Sequence, residues 1–297
     1  MILQTHNLSK NYGKVQALSN LNLSIEKGTV FGLLGPNGSG KTTTLGIILG
    51  CLNQNEGSFS WFDGENGAKT RQKLGALLEG PLFYPYMSAI DNLKLACKIK
   101  NCSEDRIELV LKQVGLWERK NSAFKTFSLG MKQRLSIASC LLADPEVLVL
   151  DEPTNGLDPQ GIAEIRELII DIAQNGKTII LASHMLDEVQ KVCTDFAILS
   201  NGKMLHQGKV DVDLGDQIKI EVAAFDPMEL TNFMNESPLI AKSKAVKGIW
   251  EITLNGEHSA ADIAKALADK NILLSHFEIV KKSLETQFLE ILKEHNA

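Results

Sequence analysis

Residues Gly35-Pro36-Asn37-Gly38-Ser39-Gly40-Lys41-Thr42 match the spacing G-x-x-x-x-G-K-[ST] at every fixed position, directly after the apolar run Val30-Phe31-Gly32-Leu33-Leu34. This is chemistry for phosphate. Glycines let a backbone turn its N–H groups inward around anionic oxygens, and the lysine supplies a mobile cation to terminal phosphates. Thr42 and Thr43 then open a helix, through Thr44-Leu45-Gly46-Ile47-Ile48-Leu49, whose positive end faces the anion. A glycine-rich turn without a ligand has no need of the lysine and threonine together. The expected ligand is a nucleoside triphosphate.

A second apolar run, Glu146-Val147-Leu148-Val149-Leu150-Asp151-Glu152-Pro153, ends in two carboxylates. A buried parallel strand presents such side chains at its C-terminal edge, where open α/β sheets bind ligands. Asp151 is then placed to hold Mg²⁺ together with Thr42, and Glu152 to orient or deprotonate the attacking water. Two further strands carry polar groups at their ends: Leu74 to Leu78 leads into Glu79, and Thr178 to Ala182 leads into Ser183-His184. The segment Phe127-Ser128-Leu129-Gly130-Met131-Lys132-Gln133-Arg134 precedes an apolar helical stretch, Leu135 to Leu142. Ser128 suits an N-cap there, although most capped helices bind nothing.

The whole chain sets bounds on what these groups can belong to. Its 297 residues fit one large domain plus a small one, and the formal net charge of −5 argues against a nucleic-acid partner. The five cysteines, Cys51, Cys97, Cys102, Cys140 and Cys193, form no C-x-x-C pair and read as buried hydrophobes of a reducing compartment. No run approaches the ~18–20 apolar residues of a spanning helix. A cytosolic chain is expected, with any membrane attachment supplied by a partner.

In this order the motifs resemble those of the ATP-binding cassette family, the motor subunits of ABC transporters, over residues 1–210. The phosphate loop, Asp151-Glu152, the following Asn155-Gly156-Leu157-Asp158 and Ser183-His184 all match. The resemblance implies an ATPase requiring ATP and Mg²⁺ that works as a dimer with a second copy of itself or a paralogous subunit. Ser128 and Gly130 would contact nucleotide bound by the opposite subunit, Asp158 would lie at the dimer seam, and His184 would hydrogen-bond the γ-phosphate. The usual signature is Leu-Ser-Gly-Gly-Gln; Leu129 and Met131 depart from it. Tyr12 resembles the aromatic residue that stacks on adenine, with an ordinary strand-end tyrosine as the competing reading.

Glu79 stands where most ABC motors have a glutamine that touches Mg²⁺ and the attacking water. A glutamate here resembles the branch serving bacitracin resistance and lantibiotic immunity, ABC-2 type exporters, although a broader subgroup with other substrates reads nearly as well. The irregular Pro81-Leu82-Phe83-Tyr84-Pro85-Tyr86-Met87 follows, and in the family this region receives a short helix of the membrane permease. Phe83, Tyr84 and Tyr86 are assigned to that docking, with at least one of them expected to pack inward instead. Ser88 with Asp91 reads as a capping box opening a helix from Ala89 to Lys98. A soluble ABC ATPase acting on ribosomes or DNA is the rival reading. It fits poorly with one phosphate loop and no sustained heptads.

The expected fold is α/β: a P-loop NTPase ATP-binding cassette over 1–210, with an antiparallel β subdomain and a helical subdomain near 88–143. Residues 211–297 are expected to form a small α+β accessory domain. Their predicted order is strand Ile218–Val222, helix Met228–Asn235, strands Leu239–Ala245 and Ile249–Leu254, helix Ser259–Asp269 and strand Ile272–Val280. That β-α-β-β-α-β order is ferredoxin-like. Leu284, Phe288, Ile291 and Leu292 suggest a closing amphipathic helix capped by Ser283. His258, His276 and His295 lack carboxylate or cysteine partners at ligand spacing, so no metal is expected among them.

Overall fold

The computed structural model describes residues 1–64, 67–80, 82–211, 218–246, 248–255, 258–281, 288 and 291. Strands β1 (Leu3–Tyr12), β2 (Val15–Leu21), β3 (Ser24–Ile25) and β5 (Glu56–Trp61) form an antiparallel sheet in which β1 pairs with the other three. A six-stranded sheet lies beside it. Its order is β10 (Lys203–Lys209), β9 (Asp195–Ser200), β4 (Val30–Leu34), β8 (Thr178–Ser183), β7 (Val147–Asp151) and β6 (Leu74–Leu77).

From β9 to β6 the neighbours are parallel, so every strand of this set ends on one edge. Strands β4, β7 and β8 are buried at every residue, and their sequences are continuous apolar runs because layers cover both faces. Phe31, Leu33, Val149 and Ile180 of this sheet share one core with Leu3, Leu8, Leu18 and Trp61 of the antiparallel sheet. Trp61 satisfies its buried indole N–H by donating to the Ile48 carbonyl at 2.8 Å. Such a core residue contributes about 1.5–3 kcal/mol by leaving water.

The helices are α1 (Lys41–Ile48), α2 (Ala68–Gln72), α3 (Ala89–Lys100), α4 (Ile107–Gln113), α5 (Leu129–Leu141), α6 (Pro159–Gln174) and α7 (Leu186–Val192). Ser88 caps α3 by accepting from the Asp91 N–H at 3.1 Å, and the helix runs two residues beyond the predicted Lys98. Gly32 matters for a different helix. A Cβ there would lie 2.5 Å from Val189 Cγ1, so the missing side chain is what lets α7 rest on β4.

The chain divides into two compact units, Met1–Gly208 and Lys209–Ala297. The second contains β11 (Ile218–Ala224), α8 (Pro227–Glu236), β12 (Ile240–Val246), β13 (Ile249–Leu254), α9 (Ala260–Asp269) and β14 (Leu274–Lys281). All its strand pairs are antiparallel, in the order β12-β13-β11-β14, which is the ferredoxin-like arrangement. Asp226, followed by Pro227, caps α8, and Ser259 with Asp262 forms a complete capping box on α9. Ile220, Val222 and Ile252 meet Leu230, Phe233, Ile263 and Leu267 in a separate core. The predicted closing helix falls largely outside the described residues.

Two expectations need correction. Cys97, Cys140 and Cys193 are buried, and burial pushes the Cys140 thiol up to about 11, but Cys51 is exposed and Cys102 half-buried. His276 does have carboxylate partners: its Nε2 lies 3.6 Å from Glu221 Oε2 and 3.7 Å from Glu278 Oε2. Glu221 comes from a strand more than fifty positions earlier, beyond any local spacing rule. His295 lies outside the described residues.

Candidate functional site

Parallel order puts the ends of β4, β6, β7 and β8 together, and each leads into predicted site residues. After β4, the loop from Gly35 to Gly40 turns into α1. Gly40 is its N-cap at φ 105, and a Cβ there would meet the Ala17 carbonyl at 2.7 Å, so only glycine fits. Ser39 Oγ is buried with no hydrogen-bond partner, a polar atom inside the loop left for a ligand.

Lys41 is buried, and its Nζ donates to the carbonyls of Gly35 at 2.8 Å and Pro36 at 3.3 Å, with Glu152 Oε1 at 3.5 Å. Glu152 also meets His184 Nδ1 at 2.8 Å through Oε2. One carboxylate therefore ties the lysine of the phosphate loop to the histidine after β8. Just beyond this histidine, α7 is tied to α6 by Arg166, which donates to both oxygens of Glu188 at 2.9 and 2.8 Å.

The Thr42 hydroxyl donates to Asp151 Oδ2 at 2.8 Å, while the buried Asp151 Oδ1 has no hydrogen-bond partner. Burial is the largest influence raising the Asp151 carboxyl above its usual range; the charges of Glu152 and Glu79 add to it, while Thr42 and Lys41 oppose it. A cavity of about 310 Å³ is lined by Thr42, Glu79, Asp151, Glu152, Gln133 and Asn155, among others. Hard oxygen donors, one of them a buried acceptor in want of a partner, suit Mg²⁺. Sequence reasoning missed Gln133 and Asn155. Gln133 does carry a signal, since it is a polar residue on the buried side of α5.

Ser128 caps α5 by accepting from the Met131 N–H at 3.3 Å, and Asp158 caps α6 by accepting from Gly161 N–H at 3.0 Å. With Gly130 they line a second cavity, of about 460 Å³, that does not include Lys41. Tyr12 ends β1 in the antiparallel sheet, half exposed, with Lys10 Nζ 5.2 Å from its ring centroid. Phe83 is half-buried and packs edge-on against Phe124 at 5.2 Å, so it is the aromatic that turns inward. Tyr84 and Tyr86 are 60% and 81% exposed, and Leu82 is 94% exposed.

A phosphate loop on a parallel sheet, with carboxylates, a histidine and two capped helix ends beside it, defines a P-loop ATPase cassette. The ABC transporter family matches residues 18–155. An uncharacterized ABC transporter ATP-binding protein of Bacillus subtilis (strain 168), YhcH, is 36% identical over 99% of this chain and 96% of its own length. The bacitracin transport ATP-binding protein BcrA of Enterococcus faecalis is 37% identical over 98% of this chain and 96% of its own. Among solved structures, the dimeric post-hydrolysis cassette MJ0796 bound to ADP and Pi aligns with a TM-score of 0.63 at 25% identity, covering 70% of this chain and 99% of that one. The chain belongs to the ABC transporter ATP-binding family and is an ATPase.

Proposed function

We propose that this chain powers an exporter of antimicrobial peptides, as the ATPase half of a complex with a separate membrane permease. The observation that carries this reading is the match to a bacitracin transport protein along nearly the entire chain, C-terminal unit included. No helix among the described residues is long and apolar enough to cross a membrane. On this reading a separate permease supplies the membrane path, and the protein sits peripherally at the cytoplasmic face. The experiment is a peptide-antibiotic susceptibility panel in cells lacking the gene, complemented with wild type or Glu152→Gln. Raised sensitivity that only wild type reverses is expected. Unchanged sensitivity to every peptide, with altered tolerance of another compound class, would reassign the substrate.

Within the cassette, Gly35 to Gly40 and Ser39 bind phosphate oxygens, Lys41 leaves its loop carbonyls for the terminal phosphate, and Tyr12 stacks on the base. Thr42, Asp151 and Glu79 would hold Mg²⁺, which when bound would supply positive charge beside the phosphates. Glu152 accepts the proton of the attacking water, and His184, now sharing a hydrogen bond with Glu152, turns to the γ-phosphate. Two capped helix ends, at Ser128-Leu129-Gly130 and Asp158, face nucleotide held by the second subunit. A dimer is required for turnover.

Leu82, Tyr84 and Tyr86 form the permease contact, because large exposed side chains on a loop anchored at its base are suited to an interface. The anchor is Asn92, whose side chain bonds the Tyr84 N–H at 2.8 Å and the Tyr84 carbonyl at 3.1 Å. Replacing Tyr84 and Tyr86 together by alanine is expected to weaken permease association by about 2 kcal/mol or more while leaving basal ATPase within about twofold. Co-purification with the permease and ATPase assays of the free subunit check both halves. Equal permease recovery would remove these tyrosines from the contact.

A further inference from the structure

The ferredoxin-like unit carries a site unrelated to nucleotide chemistry. We propose that Glu221, His276 and Glu278 bind a divalent transition cation of the zinc class on the face of the sheet opposite the one that packs against α8 and α9. Register places them there. Glu221 of β11 lies opposite Glu278 of β14, and His276, opposite Ala223, is two residues along the same strand and so on the same face. Ile220, Val222 and Phe277, which alternate with them, belong to the core against α8 and α9.

The charge pattern calls for a cation. Glu251 of β13 lies opposite Glu221 on its other side, so Glu251, Glu221 and Glu278 form a row across three adjacent strands. Like charges directly opposed across strands are destabilising. Lys244 lies opposite Glu251, at the β13 end of the row. At the β14 edge the His276 ring lies near both Glu221 and Glu278, and its Nε2 is buried with no hydrogen-bond partner.

Distances fit ligands better than hydrogen bonds. Nε2 stands 3.6 and 3.7 Å from the two carboxylate oxygens, and the three atoms lie within 4.8 Å of one another. Metal–ligand bonds of about 2.0–2.1 Å in tetrahedral geometry separate neighbouring ligands by about 3.3 Å. Small side-chain rotations therefore close the set around an ion, with water as the fourth ligand. One imidazole and two carboxylates select zinc or a similar ion over Mg²⁺ or Ca²⁺, which take oxygen shells. Bound there, the ion would cross-link β11 to β14 and stabilise the unit by mass action.

The test is calorimetric titration of metal-free full-length protein with Zn²⁺, in a Cys51→Ser background to remove the exposed thiol, with Co²⁺ absorption as a second readout. One equivalent should bind, and the melting temperature should rise with it. His276→Gln and the pair Glu221→Gln/Glu278→Gln should each weaken binding by roughly 10–100-fold or more and abolish the thermal shift. Asp151→Asn should retain both, since that carboxylate serves the nucleotide site. Circular dichroism establishes that the variants are folded; if the glutamate pair unfolds, His276→Gln alone carries the comparison. Equal affinity in wild type and His276→Gln, or no zinc uptake by wild type, overturns the proposal and leaves His276 as a neighbour of the two carboxylates with no metal role.

Discussion

Glu152→Gln is expected to lower ATP turnover by about 10²–10⁴-fold, the range associated with loss of a positioned general base. ATP should still bind. An amide keeps the shape and an acceptor oxygen but cannot take a proton from water, and it removes the negative charge now 3.5 Å from Lys41 Nζ. That charge competes with the γ-phosphate for the lysine, so the variant should bind ATP at least as tightly as wild type. It should accumulate as a nucleotide-bound dimer on size-exclusion chromatography in MgATP. Lys41→Ala should behave differently, losing both affinity and turnover, because its ammonium is the cation of the loop. Equilibrium binding of a fluorescent ATP analogue separates the two. Full hydrolysis by Glu152→Gln would put the base elsewhere.

How far this site could be read from sequence depended on whether a residue's role is local. The phosphate loop is a local object: Gly40 must be glycine because of its φ and the Ala17 carbonyl beside it, and the spacing alone conveys that. The strand ends were legible for a related reason. Three apolar runs, each followed by a polar residue, can converge only if the strands are parallel, and they are. Which partners those residues choose was not legible. The hydrogen bonds from Thr42 to Asp151 and between His184 and Glu152 join positions 109 and 32 residues apart. Glu79 and Glu152 also occupy left-handed backbone, φ 60 and 47, an unusual state for glutamate that no propensity predicts.

The C-terminal unit shows the same limit from the other side. The alternation of its predicted strands and helices gave the element order, and the structure adds the local caps at Asp226 and Ser259, which act within three residues. Cross-strand neighbours follow sheet order instead. With β11 between β13 and β14, Glu221 acquires Glu251 and Glu278 as neighbours, and neither pairing could be inferred before that order was known. Phe83 failed to be an exposed contact for a comparable reason: its partner Phe124 belongs to a turn forty residues on.

Asp151→Asn is expected to raise the melting temperature of the nucleotide-free protein while cutting Mg²⁺-dependent hydrolysis by more than about 100-fold. The stability half follows from linkage. Burial, with the charges of Glu152 and Glu79 behind it, raises the Asp151 pKa in the folded chain above its unfolded value. In the window between an ordinary carboxyl near pH ~4 and that raised value, the native state holds a proton the unfolded state has released. Stability therefore falls as pH rises through this window, and the cost stays in full above it. Asparagine carries no charge to desolvate and keeps an oxygen for the Thr42 hydroxyl, so the variant escapes that cost. Melting curves of both proteins from pH 4 to 8 should show a gap that is widest at neutral pH and narrows toward the acid end. Saturating MgATP should invert the order, because wild type gains ligand stabilisation that the variant, lacking its metal carboxylate, cannot match. A variant less stable than wild type at neutral pH without nucleotide would mean that the Asp151 charge is already compensated by Lys41 and Thr42, and that the site is not strained before ATP arrives.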